Sequence, residues 1–138
     1  MDDSFNKWNE IKKETYKSDV KKFGIKQREI YWMKLGQNIG SEEYGKNENF
    51  TRPIVIVRKL TSDLFLGIPT TTNIRQNSDY FHSFEYLDKN KNSIKVSAMI
   101  LQIKTFSIKR LMSKIGWIDK NDFKILQEKS RRLIDPTC

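Results

Sequence analysis

The sequence predicts a mainly β (α+β) protein: a small, strongly curled antiparallel sheet or barrel with flanking helices. Three observations predict it. Five runs of strand length, apolar or alternating, lie between residues 28 and 103 and are mostly joined by short turn signals. After residue 104 the apolar spacing changes from that of a strand to that of a helix. The 138 residues, 37% hydrophobic and 31% charged, suit one globular domain (1–138) with a small core and do not suit a disordered chain.

Residues 4–23 are expected to form a helix. Phe5, Trp8, Ile11 and Thr15 fall at helical spacing, Asp2, Asp3 and Ser4 suit a helix N-terminus, and Gly24 suits its end. Residues 1–25 are therefore read as a helical extension to a core spanning 28–134. Arg28 to Leu35 is the first strand, with Tyr31, Met33 and Leu35 on one face and Ile30 and Trp32 on the other. Gly36, Gly40 and Gly45 then mark a long loop, a kind of segment that often carries function.

Pro53 opens the second strand, Ile54 to Leu60, at a position where its missing N–H costs little. Thr61-Ser62-Asp63 makes a turn, and Leu64 to Pro69 returns antiparallel, followed by Thr70-Thr71-Thr72. Asn73 to Asp79 is a polar connector. Phe81 to Leu87 alternates, with His82, Phe84 and Tyr86 on one face. Asp88 to Asn92 is a turn, and Ser93 to Ile103 is expected to be one long strand. Ser107 to Ile115 reads as a short helix ended by Gly116. Asp119 caps a last helix with Asp122 at its N3 position; Phe123, Leu126, Ser130 and Leu133 form its inner stripe, and Pro136 ends it.

Net charge is +9, and the excess is largest after residue 104, a balance that favours a polyanionic or acidic partner. No apolar run has the ~20 residues that span a bilayer, so no membrane association is expected. The opening MDDSFNKWNE lacks the pattern of a signal peptide, which predicts a cytoplasmic protein. Cys138 and His82 are the sole residues of their kinds, leaving no soft-ligand set for zinc or an iron–sulfur centre; only carboxylates remain open to magnesium. No metal site and no cofactor are expected.

Chemistry gathers around the long loop. Glu42 lies inside it, Arg52 stands at its exit, and the three threonines follow one strand later; all can act on a phosphate. Arg52 is either a phosphate-binding cation or the partner of a loop acid such as Glu48. His82, mid-strand, is assigned a structural role. Tyr31 and Trp32 offer faces on which bases stack, although their strand places them in the core first.

Four ordered motifs carry a resemblance. Gly40-Ser41-Glu42, Arg52-Pro53 with Ile54-Val55-Ile56, Leu66 through Thr72, and Gln102-Ile103-Lys104-Thr105 together resemble the PemK/MazF family of bacterial toxins, from about Arg28 to Ile134. The resemblance implies an SH3-like barrel acting as a homodimer in the bacterial cytoplasm. It implies a metal-independent endoribonuclease, an mRNA interferase that cuts single-stranded RNA, and a cognate antitoxin that blocks its site. Three departures accompany it: the helix 4–23 lies outside the family core, the loop is a few residues longer than usual, and Leu101 stands where many members carry an acid. No general base is therefore assigned at Leu101.

RNA supplies its own nucleophile, the 2′-OH, so the enzyme must remove that proton, stabilise the extra negative charge at phosphorus, and protonate the leaving oxygen. By this resemblance the catalytic candidates are Arg52 for the charge, Thr71 as a hydroxyl donor, and Glu42 as base or loop organiser. Ser41, Lys46, Gln102, Lys104 and Thr105 are the RNA-binding candidates. Two alternatives stay open: a toxin of the same barrel that poisons DNA gyrase by contact, and a degenerate member that binds RNA or an antitoxin without cutting.

Overall fold

The computed structural model describes residues 24–35 and 51–137. The expected helix 4–23 and the loop bearing Ser41, Glu42 and Lys46 lie outside the described residues.

Seven strands and one α-helix make up the described fold: β1 (Glu29–Lys34), β2 (Thr51–Lys59), β3 (Leu64–Thr71), β4 (Phe81–Leu87), β5 (Ser93–Met99), β6 (Lys104–Ser107), β7 (Leu111–Trp117) and α1 (Lys120–Ile134). The strands form one antiparallel sheet in the order β4-β5-β3-β2-β1-β7, with β6 also pairing β3. The expected mainly β (α+β) architecture is present, although no ladder joins β4 to β7 to close the sheet.

Burial on both sides of β2 explains its position in the sheet. Val55 and Val57 join a core cluster with Ile30, Ile68, Phe84, Tyr86, Val96 and Ala98, whereas Ile54 and Ile56 join a second cluster with Tyr31, Met33, Phe65 and Phe106. Strand alternation sends successive residues to opposite faces, and removing each such side chain from water contributes about 1.5–3 kcal/mol. The first cluster is the concave interior, which α1 covers with Phe123 and Leu126. Asp119 caps α1, its carboxylate accepting from the N–H groups of Asn121 (2.9 Å) and Asp122 (3.3 Å).

The sheet nearly closes where Tyr86 and Leu87 cross Gly116. A Cβ built on Gly116 would lie 2.7 Å from Tyr86 Cδ2 and 2.9 Å from the Leu87 carbonyl oxygen, so only glycine permits this approach.

Two expectations are corrected. Ser107 to Ile115 is not a helix but a 3-10 turn (Ile108–Arg110) followed by β7. Ile108, Leu111 and Ile115 have helical spacing, yet as a strand this stretch pairs with β1 and satisfies an edge of backbone groups that a helix would leave open. Two register shifts in that pairing let Leu111 pack in the second cluster and Ile115 against the first. Of the expected C-terminal helices, α1 is therefore the one formed. The long strand Ser93 to Ile103 is also interrupted. A 3-10 turn at Ile100–Gln102 buries Ile100, turns Leu101 and Gln102 to solvent, and separates β5 from β6.

Candidate active site

β2 begins and β3 ends at the same end of the sheet. Ile54 pairs with Pro69, and two further steps of that register set Arg52 opposite Thr71. Side chains directly opposite in an antiparallel pair share a face. Arg52 and Thr71 therefore lie side by side, both partly exposed. The adjoining pair, Pro53 and Thr70, points the other way and is buried.

Two side-chain bonds fix these ends. Arg52 Nη1 donates to the Thr70 carbonyl oxygen at 3.2 Å, and Thr70 Oγ1 donates to the Pro53 carbonyl oxygen at 3.0 Å. Thr71 Oγ1 accepts from the Asn73 N–H at 3.1 Å, which turns the chain away from the sheet. Of the three consecutive threonines, Thr70 is thus a buried strut and Thr71 presents its hydroxyl at the surface.

The row continues through serines that sequence reasoning did not single out. Thr71 pairs with Ser97 of β5, and Ser97 pairs with Ser83 of β4. Ser83 Oγ donates to the Arg75 carbonyl oxygen (2.9 Å), Ser97 Oγ accepts from the Arg75 N–H (2.8 Å), and the two hydroxyls lie 2.7 Å apart. Because the Ser83 proton is used on Arg75, Ser97 donates to Ser83. This network folds residues 73–77 back over the sheet and places the Arg75 guanidinium 5.4 Å from the centre of the Phe81 ring. The signal in the sequence was a serine, Ser97, inside the apolar run from Val96 to Ile100.

Gln102, Lys104 and Thr105 are exposed, and the two on β6, Lys104 and Thr105, stand apart from this row. Lys104 pairs with Gly67 and Thr105 with Leu66. Gly67 precedes Thr71 by four residues, about 13 Å along an extended strand. Lys104 Nζ sits 5.3 Å from the centre of the Phe106 ring. The structure thus brings Arg52 and Thr71 together and sets Lys104 and Thr105, on β6, beside an earlier part of β3.

Tyr31 and Trp32 separate cleanly. Tyr31 is buried, its hydroxyl donating to Glu29 Oε1 at 3.2 Å; burial and the adjacent carboxylate raise its pKa well above the ordinary phenol value. Trp32 is 39% exposed, which corrects its expected place in the core. His82 is buried with Nε2 2.8 Å from Asp122 Oδ1, linking β4 to α1. The buried Glu29 carboxylate also accepts from the Lys26 N–H (2.8 Å) and Lys114 Nζ (3.2 Å), tying β1 to β7. Among the described residues, no three His, Cys, Asp or Glu side chains gather as a metal-binding group.

A curled antiparallel sheet carrying a guanidinium beside a hydroxyl, on a chain of net charge +9, defines a small α+β protein suited to a polyanion. The family model for PemK-like, MazF-like toxins of type II toxin–antitoxin systems matches residues 26–134, and the chain belongs to that family. Comparison with curated proteins gives no match. Toxins of this family pair with antitoxins, and no described helix is long and apolar enough to cross a membrane.

Proposed function

We propose that this toxin is a sequence-specific, metal-independent endoribonuclease acting on single-stranded RNA. The observation that supports it most is the juxtaposition of Arg52 and Thr71 across β2 and β3, with Arg52 held by the Thr70 carbonyl oxygen. The 2′-oxygen of RNA attacks phosphorus and the bond to the 5′-oxygen breaks. The products are a 2′,3′-cyclic phosphate and a 5′-hydroxyl, the leaving 5′-oxygen taking its proton from water. Charge builds on the non-bridging oxygens as the fifth bond forms. A guanidinium with a fixed fork of donors suits that charge.

The bond Thr71 accepts from Asn73 occupies a lone pair and leaves the hydroxyl proton to be given to the phosphate. Glu42 takes the 2′-proton or orders the loop that carries it. Ser41 and Lys46, with Gln102 of the 3-10 turn and Lys104 and Thr105 of β6, bind the flanking RNA. The active form is a cytoplasmic homodimer held in check by its antitoxin.

The test is incubation of the purified toxin with a long single-stranded RNA in EDTA. Discrete cuts leaving 5′-hydroxyl ends are the expected result. Intact RNA after incubation with folded, antitoxin-free protein would overturn the reading and favour a toxin that acts by contact, for which gyrase binding is the next assay.

A further inference from the structure

A cleft of about 470 Å³ opens at the mouth of the curled sheet. Its floor is apolar, with Pro53, Ile94, Val96 and Ile115; Trp32 and Tyr86 supply flat walls. Thr72, Asp88, Asn90 and Ser113 supply polar groups. The volume lies within the ~300–1,000 Å³ of small-ligand sites, and barrel mouths are a recurrent place for them.

Trp32 is the outlying observation. Its strand neighbours Tyr31 and Met33 are buried, whereas Trp32 keeps 39% of its surface exposed. Opposite it, the turn Asp88–Asn92 is rigidly built. Asp88 Oδ1 accepts from the N–H groups of Asn90 (2.8 Å) and Asn92 (2.9 Å), and the Asp88 carbonyl oxygen accepts from the Lys91 N–H (2.9 Å). Asn90 is therefore presented to the cleft on a fixed frame.

The cleft also adjoins the candidate active site. Pro53 follows Arg52 and Thr72 follows Thr71, so each strand places one residue on the active-site face and the next in the cleft. A nucleotide whose phosphate lies at Arg52 and Thr71 can pass its base around the strand ends. The lining selects the base over the phosphate: Lys89 is the one cationic side chain of the lining, beside two aromatic rings, an amide and hydroxyls.

We propose that this cleft is a subsite for one unpaired nucleobase flanking the scissile phosphate, stacked on Trp32 and read at its edge by Asn90. The proposal rests on the nuclease reading for the position of the phosphate. An unpaired base is required because a paired base has its edge occupied and its faces covered.

The experiment uses the full chain and short single-stranded oligonucleotides with 2′-fluoro riboses, which bind but lack the attacking 2′-OH. Each carries one fluorescent 2-aminopurine, moved along the strand through randomised neighbours. With wild type, emission is expected to be quenched at one position relative to the cut mapped on ordinary RNA. Trp32→Ala should abolish that quench and weaken binding about tenfold, the usual effect of losing one aromatic stack. Trp32→Phe should retain much of the affinity, and Asn90→Ala, on an exposed turn, should relax base preference at that position alone.

Binding without any Trp32-dependent quench overturns the proposal. So does a change in tryptophan emission, absent from Trp32→Ala, on adding an apolar peptide but no oligonucleotide, which assigns the cleft to a protein partner. Quenching by a protein that leaves ordinary RNA intact supports the subsite and overturns the nuclease reading. Cleavage by Trp32→Ala with unchanged KM and pattern does the reverse.

Discussion

Arg52 on β2 donates through Nη1 to the carbonyl oxygen of Thr70 on β3 at 3.2 Å. This bond spans the strand pair one step from Thr71, so the β3 backbone helps orient the guanidinium. A cation held in this way loses little freedom when a phosphate arrives, which is the condition for electrostatic stabilisation of a transition state. The neighbouring bond from Thr70 Oγ1 to the Pro53 carbonyl oxygen locks the same strand ends from the opposite face.

The two threonines should separate stability from activity. Thr70→Val leaves the buried Pro53 carbonyl oxygen without its 3.0 Å donor and should destabilise the fold by about 1–2 kcal/mol. Thermal unfolding reads this loss, and RNA cleavage at low temperature should stay within a few-fold of wild type. Thr71→Val should leave the melting temperature nearly unchanged and lower kcat about a hundredfold. Thr71→Ser, which keeps the hydroxyl, should restore most of that rate.

Gly116→Ala should be among the more damaging small substitutions. The new methyl group meets the Leu87 carbonyl oxygen at 2.9 Å, and a backbone atom cannot swing aside as a side chain can. Overpacking of this kind costs about 1–3 kcal/mol. Denaturant unfolding should show a lower midpoint. A midpoint equal to wild type would mean that the β4–β7 crossing is looser than described.

Alkaline pH should destabilise the protein through its tyrosines. Burial raises the Tyr86 pKa, with the Asp88 carboxylate adding to it; burial and Glu29 raise Tyr31 further. In the unfolded chain both phenols lose their protons near pH 10. The folded protein then holds more protons than the unfolded one, so stability falls as pH rises above about 10 and is fully present below it. Absorbance titration of phenolate should show these two tyrosines ionising late, together with unfolding. Ionisation of all five tyrosines near pH 10 in a folded protein would contradict this.

Much of the sheet was legible because alternation and β-branched runs report burial directly. Phe81 to Leu87 is the strand expected, and β1, β2 and β3 differ from expectation by a few residues at their ends. The stretch around Leu111 was misread because Ile108, Leu111 and Ile115 fit a helical stripe, while what fixes its structure is the edge of β1, distant in sequence. Gly116 suggested a helix end for the same reason; its function is to admit Tyr86. Trp32 was placed in the core because apolar residues flank it, and no local pattern reveals that the mouth of a curled sheet leaves one position open. For the candidate site, the closeness of Arg52 and Thr71 follows from the antiparallel pairing of two strands that the sequence already marks. Ser83, Ser97 and Arg75 could not, since their network joins three segments by side-chain geometry alone.

The most direct measurement compares wild type with Arg52→Ala on one long single-stranded RNA in EDTA, with cuts mapped by primer extension and folding checked by circular dichroism. Wild type should give discrete cuts with 5′-hydroxyl ends, and the folded variant a rate lower by at least about a hundredfold. Full cleavage by folded Arg52→Ala would contradict the catalytic role and leave Arg52 a structural one, of which the tie to the Thr70 carbonyl oxygen is a part.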